Sequence, residues 1–192
     1  MLLGRGRARR LVHIFDTAGE RFTKLEDTDA LRYVRTARTF VFVLDPLSVA
    51  AFWQGLSAER QAHMDRSLAS PVDPELVFNQ SAQTMKRMNG ALTQSRLAVA
   101  VSKYDLLRRQ PLLGEHRPDD SQSTRAWLVD VLGLGNLARA MEMECREVRF
   151  FFAALLIAEG AQVDGSIAPL VDWCLGSGRY DATTSADRAP QR

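Results

Sequence analysis

The sequence predicts an α/β protein in which helices flank a mainly parallel sheet. Apolar strand-like runs alternate with helix-like segments along the chain, which is typical of a layered α/β fold. The run Thr39–Leu44 is apolar on both faces, as expected for a parallel strand covered by helices, and Leu97–Val101 is a second apolar strand-like run. Asp16, Asp45 and Asp105 closely follow three of the strand-like runs, where ligands bind in such sheets.

Length and composition favour one ordinary globular domain. The chain has 192 residues, of which 46% are hydrophobic and 25% charged, and its net charge of +2 gives no reason to expect nucleic acid as a partner. The longest apolar run, Phe150–Ala158, is far shorter than the roughly 20 residues of a membrane-spanning helix. Cys145 and Cys174 are predicted to be reduced thiols in a cytoplasmic protein.

The amino-terminal region is predicted to begin with a β-hairpin within residues 1–16. Gly4–Arg7 would form its turn and Arg9–Phe15 its returning strand. We interpret the arginines around the turn as solvent-exposed, with an anionic partner as the alternative. A polar stretch follows, and then a helix is predicted to end near Ala37. Thr39–Leu44 is the next strand, which Asp45-Pro46 ends.

Two helical passages are predicted between this strand and the next one. Leu47–Ser70 is helix-like, the prolines of residues 71–74 break it, and Ser81–Ser95 forms a second helix. We interpret residues 47–80 approximately as a helical insertion of unknown role. Arg96–Ser102 is then predicted to return to the sheet as a strand.

The rest of the chain is predicted to supply the last strand and the helices around it. Its predicted elements, in order, are a polar loop over 106–123, a helix capped by Ser123 or Thr124, a helix over Asn136–Glu147, a strand over Val148–Leu155 and a helix over Ser166–Leu175. Spacing at i, i+3, i+4 and i+7 indicates the last helix. One domain over residues 1–178 and a disordered tail over 179–192 complete the expected organisation.

Two short motifs at strand ends carry a resemblance to a known family. Asp16-Thr17-Ala18-Gly19 resembles the DxxG motif of P-loop GTPases, and Ser102-Lys103-Tyr104-Asp105 resembles their guanine-reading [NT]KxD motif. The resemblance extends from about Arg9 to Gly176 and is closest to bacterial GTPase-like proteins, sometimes called ATP/GTP-binding proteins. It implies an incomplete P-loop NTPase fold, with GTP or GDP and Mg²⁺ as ligands.

The resemblance also implies a role for individual residues. Asp16 would hold Mg²⁺ through water, and Gly19 would donate its backbone N–H to the terminal phosphate. Asp105 would accept two hydrogen bonds from the guanine edge, which adenine cannot offer, while the Lys103 stem would lie over the base. Ser102 stands where the family has Asn or Thr, so it keeps a hydroxyl but has less reach.

A third base-contacting turn of the family has a counterpart after the last strand. The family uses Ser-Ala-Lys or Ser-Ala-Leu there, whereas this chain has Ala153-Ala154-Leu155. Ala154 and Leu155 are therefore candidate base-binding residues, and the backbone N–H of Ala154 is expected to meet the guanine oxygen.

Two departures from the family predict weak or absent nucleotide binding by this chain alone. The GxxxxGK[ST] phosphate loop would precede DxxG, but Met1 falls within what would be the strand before that motif, so we expect the loop to be missing. In the family, the first strand of the sheet, which carries that loop, would lie between the DxxG strand and Thr39–Leu44. Without it, those two strands pair, something else fills the gap, or an unpaired edge remains. Glu20 replaces the water-positioning glutamine, so hydrolysis is expected to be slow.

Three hypotheses remain open from the sequence. The first is a GTPase-like domain whose amino-terminal part is missing, which would hydrolyse GTP only when a phosphate loop completes it. The second is a degenerate, non-catalytic module that retains the GTPase fold for contact with an unknown protein partner. The third is an unrelated α/β protein in which Asp16 is a turn carboxylate and Asp105 a helix cap.

Overall fold

Three parallel strands form the centre of the fold. The computed structural model describes residues 2–3, 10–11, 37–67, 69–89, 92–154 and 166–176. Within them, β3 (Thr39–Leu44), β4 (Arg96–Val101) and β5 (Glu147–Phe152) are adjacent in that order. Their carboxyl ends are level, because Leu44 pairs with Val101 and Val101 with Phe152. The predicted α/β fold with a parallel sheet is confirmed.

Helices lie on both faces of this sheet. They are α1 (Ala50–Gly55), α2 (Ala58–Ala62), α3 (Pro74–Asn89), α4 (Tyr104–Arg109), α5 (Ser121–Asp130), α6 (Gly135–Glu144) and α7 (Ile167–Leu175). On one face, Phe152 contacts Trp127 of α5. On the other face, Phe151 contacts Trp173 of α7. Successive residues of a strand point to opposite faces, so β5 is covered from both sides.

The core is centred on Trp127. Its side chain is fully buried, and its ring lies 5.2 Å from that of Phe152 and 6.1 Å from that of Phe52. The indole N–H donates to the carbonyl oxygen of Leu112 at 2.9 Å. A buried indole N–H needs a hydrogen-bond partner. Since Leu112 lies in the loop that follows α4, the bond also fixes this loop.

The outer edge of β3 is the least covered part of the sheet. Val41 and Val43 are 50% and 57% exposed, whereas Ala98 and Ala100, which pair with Val41 and Val43 from β4, are buried. No strand among the described residues pairs with this edge. The short strands β1 (Leu2–Leu3) and β2 (Arg10–Leu11) form an antiparallel pair of their own, in agreement with the predicted hairpin.

The prediction of one helix over Leu47–Ser70 was wrong. This passage contains a 3-10 turn over Pro46–Ser48 followed by the short helices α1 and α2. The chain becomes extended at Leu56 and Ser57, and the Ser57 hydroxyl accepts from the backbone N–H of Arg60 to begin α2. A serine cap in the middle of the passage therefore separates two helices.

Further boundaries differ from those predicted. The helix expected to be capped by Ser123 or Thr124 begins earlier, because the Asp120 side chain accepts from the backbone N–H of Gln122 and caps α5. The helices expected to end at Ser95 and Glu147 end at Asn89 and Glu144. The helix expected from Ser81 begins seven residues earlier, at Pro74 of α3, because proline is well tolerated in the first turn of a helix. The loop expected from residue 106 instead contains most of α4, which is too short to show clear periodicity. The strand predictions were closer, since β4 and β5 differ by a few residues at their ends.

Several predictions lie outside the described residues. They concern the turn of the predicted hairpin and its residues 12–16, the helix expected to end near Ala37 and the tail over 179–192. The insertion over 47–80 and the single-domain assignment also remain predictions. Among the described helices, none has both the length and the apolar character needed to cross a membrane.

Candidate functional site

The carboxyl ends of the three parallel strands form one rim, and the candidate site lies along it. Asp45 directly follows β3, the Ser102–Asp105 motif follows β4, and Ala153 and Ala154 follow β5. Because the three strand ends are in register, the fold brings these segments to the same edge of the sheet. This is where open parallel sheets bind their ligands.

Ser102 ties the motif to the neighbouring strand β3. Its backbone N–H donates to the carbonyl oxygen of Leu44 at 2.9 Å, and its hydroxyl donates to the same oxygen at 3.2 Å. The side chain is buried, with 7% exposed. Serine is shorter than the asparagine of the motif that it resembles, but its hydroxyl still connects the ends of β4 and β3 by bonding to a backbone carbonyl of β3.

Lys103 has an unusual backbone conformation and a nearly buried charge. Its φ of 59° and ψ of 29° are left-handed, a region that residues other than glycine rarely occupy. Its Nζ is buried and lies 2.9 Å from Oδ2 of Asp45. Nζ forms no hydrogen bond with any described atom, so its contact with Asp45 is an ion pair only.

Tyr104 holds the motif to the other neighbouring strand, β5. Its backbone N–H donates to the carbonyl oxygen of Ala153 at 3.3 Å, while the N–H of Ala153 donates to the carbonyl of Val101 at 2.8 Å. The Tyr104 ring lies 5.6 Å from that of Phe152. Since Ser102 and Tyr104 are bonded to opposite neighbours, the motif loop is fixed from both sides.

Asp105 lies in the first turn of α4, immediately after this fixed loop. The residue is half-buried. Within the described residues its carboxylate has no hydrogen-bond or ion-pair partner. A positioned carboxylate without a partner in the described part of the chain can accept hydrogen bonds from a ligand, and both of its oxygens are acceptors when it is ionised.

Ala154 lies where the resemblance places a base-contacting N–H, but that N–H already has a partner. It donates to the hydroxyl oxygen of Ser166 at 3.0 Å, and Ala154 is 2% exposed. A ligand oxygen would have to replace the Ser166 hydroxyl to use this donor. Ser166 precedes α7 and was not singled out by sequence reasoning, because nothing in the sequence links it to β5.

A second carboxylate, Asp65, lies within the electrostatic influence of Lys103. Hydrogen bonds from Ser67 lower the pKa of Asp65, and the charge of Lys103 lowers it further. The backbone N–H of Ser67 donates to Asp65 Oδ1 at 2.8 Å. Asp65 is thus a solvent-exposed neighbour of the Lys103–Asp45 pair rather than a member of it.

Part of the predicted site lies beyond the described residues. This part comprises Asp16, Gly19 and Leu155, so the convergence of Asp16 with Asp105 remains a prediction. Asp45 is a component that sequence reasoning placed at a strand end without giving it a role. Among the described side chains, no cluster of three or more His, Cys, Asp or Glu residues could hold a metal ion.

Comparison with known proteins finds a matching family for this chain. The model of the family described as Double-GTPase 2 matches residues 2–173, which include both predicted motifs. No curated protein and no solved structure matches the chain. The match covers most of the sequence, and the chain belongs to the Double-GTPase 2 family.

Proposed function

We propose that this chain is a guanine-nucleotide-binding domain whose affinity is weak and whose hydrolysis, on its own, is slow. The observation that carries the proposal is Asp105, whose carboxylate has no partner among the described residues and follows a loop bonded to both neighbouring strands. Membership of a GTPase-like family supports guanine nucleotides as the ligand class.

The described residues suit the base end of such a ligand. The Asp105 carboxylate accepts from both N1–H and the exocyclic amine of guanine, an arrangement of donors that adenine does not present. The charged end of Lys103 is anchored by Asp45, and its hydrocarbon stem would cover one face of the ring. The Ser102 hydroxyl bonds the start of the motif to β3, and it thereby fixes the loop that carries Lys103 and Asp105.

The phosphate end is assigned to residues outside the described part of the chain. We propose that Asp16 holds Mg²⁺ through water and that the Gly19 N–H donates to the terminal phosphate. Mg²⁺ would supply charge neutralisation between the phosphates. By the family resemblance, Glu20 would add a negative charge near the phosphates, and it cannot donate as an amide does, which favours slow hydrolysis.

Weak affinity follows from what the 192 residues offer to the phosphates. They contain no GxxxxGK[ST] run, which in P-loop proteins provides backbone N–H groups and a lysine for the β- and γ-phosphates. Hydrolysis of GTP is therefore proposed only for a domain completed by such a loop.

A second candidate function is a non-catalytic module that retains the GTPase fold for contact with another protein. It is favoured by Glu20 and by the absence of serine from Ala153-Ala154-Leu155. The occupied N–H of Ala154 also favours it, because a ligand would have to displace the Ser166 hydroxyl.

Calorimetric titration with GDP and Mg²⁺ tests the proposal and separates the two functions. We expect weak binding by the chain, abolished in Asp105→Ala, with no binding of ADP. Asp119→Ala is the matched control, since Asp119 is exposed and pairs only locally with Arg117. A micromolar dissociation constant would contradict the non-catalytic module. Absence of binding at millimolar GDP would contradict nucleotide binding and favour that module.

A further inference from the structure

Asp45 uses its two carboxylate oxygens on two different parts of the rim. Oδ1 accepts from the backbone N–H of Leu47 at 2.9 Å, while Oδ2 lies 2.9 Å from Nζ of Lys103. The first bond fixes the carboxylate relative to the end of β3. The second contact therefore holds the Lys103 ammonium at a defined position beside that strand.

The surroundings make this ion pair difficult to replace by water. Only 17% of the Asp45 side chain and 26% of the Lys103 side chain are exposed, and Nζ itself is buried. Removing one member of a poorly solvated pair leaves the other charge uncompensated. The lysine is thus kept in place at its charged end by Asp45 and at its backbone by the bonds of Ser102 and Tyr104.

We propose that Asp45 is a positioning residue for guanine binding, which it promotes by anchoring the Lys103 ammonium so that the hydrocarbon stem of that lysine stays against the base. This inference rests on the proposed function. It implies that Lys103 contributes its stem rather than its charge, because Asp45 already neutralises the ammonium.

A double-mutant cycle tests the role of Asp45. Asp45→Asn keeps the Oδ1 acceptor for Leu47 but removes the negative charge, and Lys103→Met keeps a hydrocarbon stem without an ammonium. We expect Asp45→Asn to weaken GDP binding about tenfold, which is within the coupling found between contacting residues. In the Lys103→Met background, the same substitution should have no further effect on GDP affinity.

Asp65→Asn is the matched control for the removal of negative charge near Lys103. Asp65 is exposed and influences Lys103 only through its field, so GDP affinity should be unchanged in this variant. Unchanged GDP affinity in Asp45→Asn would overturn the inference while leaving the proposed function intact. If Asp45→Asn weakened GDP binding equally with and without Lys103→Met, the inference would also be overturned, because Asp45 would then act independently of the lysine ammonium.

The ligand-free protein keeps the two proposals distinguishable. The NMR signal of the Lys103 side-chain ammonium should be protected from solvent exchange in the chain and in Asp65→Asn, and lost in Asp45→Asn. If this pattern holds but the chain does not bind GDP at all, the proposed function fails and the pair has only a structural role, which overturns the inference. If the signal is absent from the chain itself, the anchoring of Lys103 is contradicted directly.

Discussion

The backbone N–H of Ala154 donates to the hydroxyl oxygen of Ser166 across 3.0 Å, and this bond joins the end of β5 to the residue that precedes α7. The donor is buried, so it is satisfied by protein rather than by water. The same N–H is the group that the family resemblance assigns to the guanine oxygen. Under the proposed function, Ser166 would therefore compete with the ligand at this position.

Replacing Ser166 by alanine is expected to have opposite effects on stability and on binding. The free energy of unfolding should fall by about 1 kcal/mol, because a buried N–H loses its acceptor. GDP affinity should rise, because the ligand oxygen no longer displaces a hydroxyl. Urea unfolding and calorimetric titration measure the two effects.

Ser57→Ala provides the comparison for Ser166→Ala. Ser57 accepts from the N–H of Arg60 at the start of α2, which is a similar type of bond outside the rim segments. Its loss should lower stability by about 0.5–1 kcal/mol without a change in GDP affinity. A decrease in GDP affinity in Ser166→Ala would mean that the Ser166 bond supports the site instead of competing with the ligand.

Arg96 is expected to secure α7 against the sheet. Its guanidinium lies 3.9 Å from the centre of the Trp173 ring, and its Nε lies 3.1 Å from Oε2 of Glu147. Arg96→Ala should reduce the free energy of unfolding by about 1–2 kcal/mol, mainly through the cation–π contact and the packing of the stem. Urea unfolding followed by tryptophan fluorescence measures this loss.

Lys86→Ala is the control for Arg96→Ala. The Lys86 side chain is 51% exposed and pairs with Glu144 without an aromatic contact, so its removal should change stability by less than about 0.5 kcal/mol. Equal effects of the two substitutions would indicate that the Trp173 contact contributes nothing beyond an exposed ion pair.

The thiol of Cys145 is expected to make stability depend on pH in the alkaline range. Burial raises the pKa of this thiol to about 11, and the charge of Glu144 contributes in the same direction. The folded protein therefore retains the proton where the unfolded chain releases it. This contribution to stability is complete below the ordinary thiol pKa of 9.0 and is lost as the pH rises towards 11.

Urea midpoints measured between pH 8 and about pH 11 for the chain and for Cys145→Ala isolate this contribution. Lysine and tyrosine titration affects both proteins, so only the difference in slope reports on the thiol. We expect the midpoint of the chain to fall more steeply with pH than that of the variant. Parallel curves would contradict an elevated thiol pKa.

The strands and the motif positions could be predicted from sequence because their signals are local. Thr39–Leu44 was predicted with the boundaries that β3 has, since a continuous apolar run ends at an Asp-Pro pair. The positions of Lys103 and Asp105 at the carboxyl end of β4 follow in the same way from the apolar run before them. Parallel pairing then places these ends on one rim.

The contacts within the rim could not be predicted, because they depend on residues distant in sequence. Asp45 and Lys103 are separated by the whole passage that contains α1, α2 and α3, and no local pattern couples them. Ser166 likewise reaches Ala154 from beyond an intervening segment. The helix boundaries were wrong where one residue type is compatible with two structures. Pro74 can end one helix, and it can also stand in the first turn of the next one, as it does in α3.

The most direct measurement of the central claim is the base preference of the chain and of Asp105→Asn, determined by NMR titration with GDP and with xanthosine diphosphate. In the proposed function the carboxylate of Asp105 would accept from the guanine amine, whereas an asparagine amide would donate to the oxygen that xanthine carries there. We predict that the chain prefers GDP and that Asp105→Asn prefers xanthosine diphosphate. An unchanged preference, or no binding of either nucleotide at millimolar concentration, would contradict base recognition by Asp105.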